Sequence, residues 1–233
     1  MSRKIKLLFS IGFISIQLVL LISILATSGK LNNILSFSSV VCSFMFSLIF
    51  ISLKNNKYLT QIALLFTVVS DIFLVLIQPQ NQAVAMTTFS VVQILYFIRI
   101  WCETKNKKLN LINLIVRVCL IIIVEIITII IVKENVDYVS IISMFYYTNL
   151  ILNLIFSFIN FKISPLLAIG LVFFLLCDTF VGFSSAINVY FAISESSWIY
   201  KLVFSSFNFI WFFYVPSQTL LALSTVNFKQ QKN

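Results

Sequence analysis

Two aspartates stand where apolar residues are expected: Asp71 in "LLFTVVSDIFLVL", residues 64 to 76, and Asp178 in "LVFFLLCDTFVGF", residues 171 to 183. A carboxyl group surrounded by hydrocarbon can be kept neutral by burial or kept ionised by hydrogen-bond donors. Two carboxyls in unequal settings can therefore deliver a proton and remove one, with no metal or cofactor. Four of the seven acidic residues, Glu103, Glu134, Asp137 and Glu195, fall in polar breaks; only Glu125 joins Asp71 and Asp178 inside apolar runs.

Composition fixes the solvent around those groups. With 61% hydrophobic residues, 10% charged and a mean hydropathy of +1.07, the chain reads as an integral membrane protein. A cleaved signal explains only "MSRKIKLLFSIGFISIQLVLLISILA", and so many apolar segments follow that this stretch is read as a retained span. At about 20 apolar residues per spanning helix, the spans are expected at 6–26, 33–53, 59–77, 83–101, 109–132, 138–161, 163–187 and 198–224. In lipid only helices and closed barrels satisfy the backbone, and these runs are too long and too uniformly apolar for barrel strands. The expectation for residues 1–233 is a single all-α domain, a polytopic transmembrane helix bundle of about eight spans.

Lysine and arginine set the orientation. With the N-terminus cytoplasmic, that side collects Arg3, Lys4, Lys6, Lys54, Lys57, Arg99, Lys105, Lys107, Lys108, Lys162, Lys229 and Lys232, which is 12 of the 16 basic residues. The other side receives Lys30, Lys133 and Lys201, and Arg117 lies within a span. Both termini are expected in the cytoplasm, in a bacterial plasma membrane. Basic residues scattered over separate short loops speak against nucleic acid and for the anionic lipid of the bilayer.

The chain contains no histidine, which removes imidazole metal sites and most general-base schemes near neutral pH. Its four cysteines form no CxxC pair, so neither a disulfide framework nor a thiolate metal site is indicated. Any chemistry falls to carboxylates, amides, phenols and hydroxyls.

Depth ties the three carboxyls together. Counted from Lys57, Lys162 and Lys108 at about 1.5 Å per residue, Asp71, Asp178 and Glu125 lie roughly 21, 24 and 26 Å into their spans. A charge near the bilayer centre costs at least about 2.5–3.5 kcal/mol, so a shared layer points to use. Glu125 has a structural alternative in Arg117, eight residues earlier on the same span. "YYTNLILN", with Tyr146, Tyr147, Asn149 and Asn153, is read as helix-to-helix hydrogen bonding, with cavity lining as the alternative. The aspartate segments align at Leu64, Leu65, Phe66 and Phe73 with Leu171, Val172, Phe173 and Phe180, a weak four-plus-four parallel repeat of the kind that places a site between two halves.

The order "SDIFLVL", "FSVVQILYF", "GLVFFLLCDTF" and "FYVPSQTLLALS" resembles the YhhN-like family of multi-span proteins, the lysoplasmalogenases, along roughly residues 58 to 225. The resemblance puts Asp71 and Asp178 in the places of the two family aspartates, has Phe89 and Tyr96 flank the position of a family histidine, and puts Tyr214 and Gln218 in the place of the terminal pair. The histidine position is Gln93 here, and the Lys-Pro of many members is missing from "LNNILSFSSVVCSF". Hydrolysis of the vinyl ether of a single-chain ether lipid is the implied activity. Asp71 and Asp178 would act as the acid–base pair, Gln93, Tyr96, Tyr214 and Gln218 would bind or orient the substrate, and Glu125 and Arg117 would be accessory. Donors such as Tyr96 or Gln218 would keep one aspartate ionised. Two other readings stay open: a transporter or binder that uses the carboxylates for a cation or amine, and a relative that lost activity with its histidine.

Overall fold

Polar side chains start the helices. Asn81, Asn106, Asp137 and Asn208 each accept a hydrogen bond from a backbone N–H of the turn that follows, satisfying donors that a helix N-terminus leaves orphaned. Pro165 occupies a first helical position, where its missing N–H costs nothing. The computed structural model describes residues 2–50, 56–189 and 193–227. Lys54, Lys229 and Lys232 of the charge count lie outside the described residues.

The chain is helical throughout these residues: α1 Arg3–Ala26, α2 Gly29–Leu48, α3 Tyr58–Asp71 with a π turn Ile72–Leu76, α4 Gln82–Glu103, α5 Lys107–Val132 with a 3-10 turn Lys133–Asn135, α6 Tyr138–Ile159, α7 Pro165–Val189, α8 Trp198–Val203 and α9 Phe209–Leu223. Seven helical segments, α1 to α7, are long and apolar enough to cross a membrane, and α9 is a shorter apolar helix. The eighth expected span, 198–224, is divided into α8 and α9. Ser205 donates to the Phe207 carbonyl and Asn208 accepts from the Trp211 N–H, and such local bonds offer the backbone an alternative to continued helix.

Lys6 Nζ donates to the Asn227 carbonyl at 2.7 Å, and Lys57 Nζ to the Val226 carbonyl at 2.8 Å. The starts of α1 and α3 and the end of α9 therefore share one face of the bundle. Chain ends on the same face call for an even number of crossings, which the seven long segments reach only if the 15-residue α9 also crosses.

Arg99 is wholly buried near that face. Its guanidinium donates to Thr60 on α3, to Glu103 at 3.0 Å, to Ser164 before α7 at 3.2 Å, and to the Ser224 hydroxyl after α9 at 2.8 Å. A residue that reads from sequence as a span-end topology charge thus ties four segments together. On α7, Gly170 permits close approach of α9: a Cβ there would lie 3.0 Å from the Leu221 side chain and 3.3 Å from its backbone nitrogen. Ser217 on α9 donates to the Gly170 carbonyl at 3.0 Å. The other principal packings are α3 on α4, α4 on α6 and α5 on α6. α5 lies at the edge of the bundle, with Ile122, Ile126 and Ile130 exposed as a lipid-facing surface requires.

Candidate functional site

Asp71 is the last residue of α3, and the helix widens directly after it, the Ile77 N–H reaching the Ile72 carbonyl at 3.0 Å. Such π turns recur at functional sites because they re-aim side chains without ending the helix. The Asp71 carboxyl is buried and accepts a 2.8 Å hydrogen bond from the Tyr214 hydroxyl on α9. Pro216, two residues beyond Tyr214, removes a backbone donor from the middle of α9.

Asp178 on α7 is half-buried and accepts a hydrogen bond from the Tyr146 hydroxyl on α6. One turn before it, Phe174 packs between both phenols, its ring centroid 6.5 Å from that of Tyr146 and 5.8 Å from that of Tyr214. Phe89 on α4 closes the cluster at 6.1 Å from Phe174 and 5.7 Å from Tyr146. Two carboxyls from separate helices, each with its own phenol donor, thus flank one aromatic wedge.

A second polar cluster joins α4, α6 and α5. Gln93 on α4 is wholly buried, and its amide nitrogen has no hydrogen-bond partner. The Asn153 amide on α6 donates to the Gln93 side-chain oxygen at 3.0 Å and to its backbone carbonyl at 2.8 Å. The Asn153 oxygen accepts from Arg117 at 2.9 Å, and Asn149 accepts from the other guanidinium nitrogen. Arg117 is buried, with Cζ 4.3 Å above the Phe97 ring, a favourable place for a cation in a dry setting.

The structure brings Asp71 with Tyr214 and Asp178 with Tyr146 around Phe174, whereas Gln93 is bonded to Asn153 and not to either pair. It does not make the other expected links. Tyr96 and Gln218 are wholly buried, yet the Tyr96 hydroxyl and both polar atoms of Gln218 lack hydrogen-bond partners, so neither is the donor that Asp71 or Asp178 uses. Arg117 binds amides in place of Glu125, whose two oxygens are buried without a partner. The reason is geometric: eight residues leave Glu125 and Arg117 two turns apart, whereas α6 runs alongside Arg117. Nor does the repeat read around the aspartates extend to their partners, since Asp71 is met from α9 and Asp178 from α6. Tyr146 is the link that sequence reasoning missed. Its signal was the spacing of Tyr146, Asn149 and Asn153, which sets one phenol and two amides on a single face of α6.

Among the described residues there is no group of three His, Cys, Asp or Glu side chains that could hold a metal ion. The fold and this interior pair define a polytopic helical membrane protein with two phenol-bonded carboxyls in its core. The chain matches the YhhN family model over residues 31–225 and belongs to the YhhN family. No curated protein and no solved structure matches it.

Proposed function

We propose that this YhhN family member is a membrane-embedded hydrolase that cleaves the vinyl ether bond of a lysoplasmalogen, releasing an aldehyde and a glycerophospho-base. The observation that carries the reading is the arrangement of Asp71 and Asp178, two carboxyls on separate helices, each held by a phenol, with both phenols packed on Phe174. One carboxylic acid gives its proton to the alkenyl carbon β to the ether oxygen, leaving an oxocarbenium ion. Water adds to the cationic carbon and passes a proton to the second carboxylate. The hemiacetal then collapses: its C–O bond to glycerol breaks, the glycerol oxygen takes a proton, and the aldehyde leaves. Acid–base groups of this kind contribute typically about 10²–10⁴-fold each, and the oxocarbenium character puts the chemistry close to that of glycosidases with paired carboxylates.

A substrate with one hydrocarbon chain suits a site among transmembrane helices. The unpartnered Tyr96 hydroxyl and Gln218 amide are buried polar groups that a bound polar moiety would satisfy, and they support a substrate-orienting role. Gln93 donates and accepts but does not titrate, so it serves orientation and leaves proton transfer to the aspartates. The same orphaned atoms favour a second reading, a binder without turnover. The distribution of lysine and arginine supports an orientation with both termini in the cytoplasm.

The test is aldehyde release from defined choline and ethanolamine lysoplasmalogens by the purified chain in detergent. Turnover that depends on Asp71 and Asp178 supports the hydrolase. Ligand-dependent thermal stabilisation without turnover replaces it with the binder.

A further inference from the structure

The connection between α4 and α5 is only Thr104 to Asn106, and three lysines crowd it: Lys105 within it, Lys107 and Lys108 on the first turn of α5. All three are exposed. The acidic residue beside them, Glu103, is engaged by Arg99 at 3.0 Å, and among the described residues no carboxylate pairs with the lysines. The Asn160 amide donates to the Thr104 hydroxyl at 2.6 Å, which brings the connection that carries Lys162 to the same edge. Lysines at this place report topology by themselves, but what lies below them is a separate observation. Both α4 and α5 pack on α6, and between them runs a groove of about 250 Å³ lined by Phe97, Ile98, Trp101 and Leu114. Its lining is apolar, and Ile98 and Leu114 are exposed, so it opens sideways to lipid. The α4 wall is braced, because Phe97 meets Trp101 edge-on at 5.6 Å and carries the Arg117 guanidinium 4.3 Å from its ring centroid.

We propose that this edge is a binding site for one anionic diacyl phospholipid, with an acyl chain in the α4–α5 groove and its phosphate at Lys105, Lys107 and Lys108. The depths match. At about 1.5 Å per residue, Phe97 and Leu114 lie roughly 9 and 10 Å from the loop ends of their helices, within the roughly 15 Å of hydrocarbon in one leaflet. The lysines stand where headgroups lie, and the groove stands where chains lie. Ligand pockets typically enclose roughly 300–1,000 Å³, so a groove of this size takes a hydrocarbon chain and leaves the headgroup outside, against the cations. Charge complementarity selects the headgroup: basic clusters at the ends of spanning helices favour anionic lipid, whereas a zwitterionic lipid carries a cation of its own to the lysines. The Arg99 bonds to Thr60 and Ser224 put this end of α4 on the face that holds the chain ends, so the lipid belongs to the leaflet on that side. The site does not rest on the hydrolase reading and shares no residue with it.

Trp101 in the groove wall is the reporter. With Trp198→Phe and Trp211→Phe it is the sole tryptophan of the full chain, which is reconstituted in phosphatidylcholine vesicles containing increasing fractions of either phosphatidylglycerol or phosphatidylcholine with brominated acyl chains. Bromine quenches a tryptophan it touches. The apparent affinity from Trp101 quenching should be at least about five-fold higher for brominated phosphatidylglycerol, the worth of one lysine near an anionic lipid. Replacing Lys105, Lys107 and Lys108 together by glutamine should abolish that preference. Leu114→Phe, which fills the groove and keeps the lysines, should abolish it too. Should the tryptophan variants not fold, native mass spectrometry of the unchanged chain, released from vesicles of the two unbrominated lipids in equal parts, should show one retained phosphatidylglycerol that is lost in the lysine variant. Equal quenching by both lipids overturns the site, leaving only unselective boundary lipid. A preference that survives Leu114→Phe overturns it as well, because the lysines then act without the groove. Absence of quenching by either lipid would mean that something else, such as a second copy of the chain, covers the groove.

Discussion

Tyr214 donates a 2.8 Å hydrogen bond to Asp71 across 143 residues of sequence. The bond joins the last helix to the third in the bundle interior, where both groups are buried, and Tyr146 makes the corresponding bond from α6 to Asp178. Each carboxyl is therefore oriented by a helix other than its own.

Replacing either aspartate by asparagine keeps volume and hydrogen bonding while abolishing titration. Asp71→Asn and Asp178→Asn should each lower aldehyde release by at least about 100-fold, the scale of one acid–base group. Because the two act as a unit, the double variant should be little worse than either single one. Both should remain monodisperse in detergent, since a potential charge has been taken out of the core. Near wild-type rates in a folded single variant would remove the paired-carboxylate mechanism.

The phenols can be tested one atom at a time. Tyr214→Phe and Tyr146→Phe keep the rings packed against Phe174 and delete only the donors. A hydrogen bond to a charged group is worth about 1.5–3 kcal/mol, so a fall of roughly 10- to 100-fold in kcat is expected where the bonded carboxylate is ionised in the reaction. KM should stay within a few-fold, because the hydroxyls act on the carboxyls and not on the lipid chain. A rise in KM with kcat unchanged would instead place the hydroxyls in substrate binding.

Much of this arrangement was legible in the sequence, and what escaped has a physical cause. The positions of the seven long apolar helices follow from hydropathy, and Asp71 and Asp178 stand out within them by residue type alone. The break at 204–208 did not, because an apolar run reads as continuous until Ser205 and Asn208 capture backbone groups. Arg99 reads as one more topology charge, yet its burial arises only when α3, α4, α7 and α9 converge on it. The choice of Tyr146 and Tyr214 over Tyr96 as carboxylate donors depends on which helices are neighbours, which periodicity alone does not encode.

Arg99 yields a stability prediction. Its removal leaves the hydroxyls of Thr60, Ser164 and Ser224 and the Glu103 carboxylate without their donor. Breaking a buried charge network of this kind costs about 3–5 kcal/mol, so Arg99→Met should unfold at a clearly lower temperature in detergent. Arg99→Lys should recover little, because a single ammonium group does not span four acceptors in a planar fork. Wild-type thermal stability in Arg99→Met would show that the convergence of helices does not depend on the guanidinium.

At Gly170 two small effects oppose each other. Alanine gains about 0.8–1.0 kcal/mol of helix propensity over glycine, but its Cβ would sit 3.0 Å from the flexible end of Leu221. Gly170→Ala should therefore be close to neutral in thermal unfolding. Gly170→Val adds branches with nowhere to go beside the Leu221 backbone nitrogen and should cost about 1–3 kcal/mol as overpacking, with activity falling because α9 carries Tyr214. Equal stability of the alanine and valine variants would mean that α7 and α9 are not held at this distance.

The shared face of the chain ends makes topology testable as a pattern. Lys6 meets Asn227 and Lys57 meets Val226, so these segments lie together whichever way the bundle is inserted. The surplus of basic residues on that face predicts that it is cytoplasmic. In a cysteine-free background, cysteines placed at Gln82, Asn135 and Ser196 should react with a membrane-impermeant thiol reagent on intact cells, and cysteines at Lys105 and Ile163 should react only after permeabilisation. All five positions are exposed, so access is limited by the membrane and not by packing. The reverse pattern would invert the orientation and leave the bundle unchanged. Labelling of Asn135 and Ser196 from opposite sides would mean that the intervening helices α6 and α7 do not both cross, and the even count inferred from the Lys6–Asn227 bond would then have to be met without one of them.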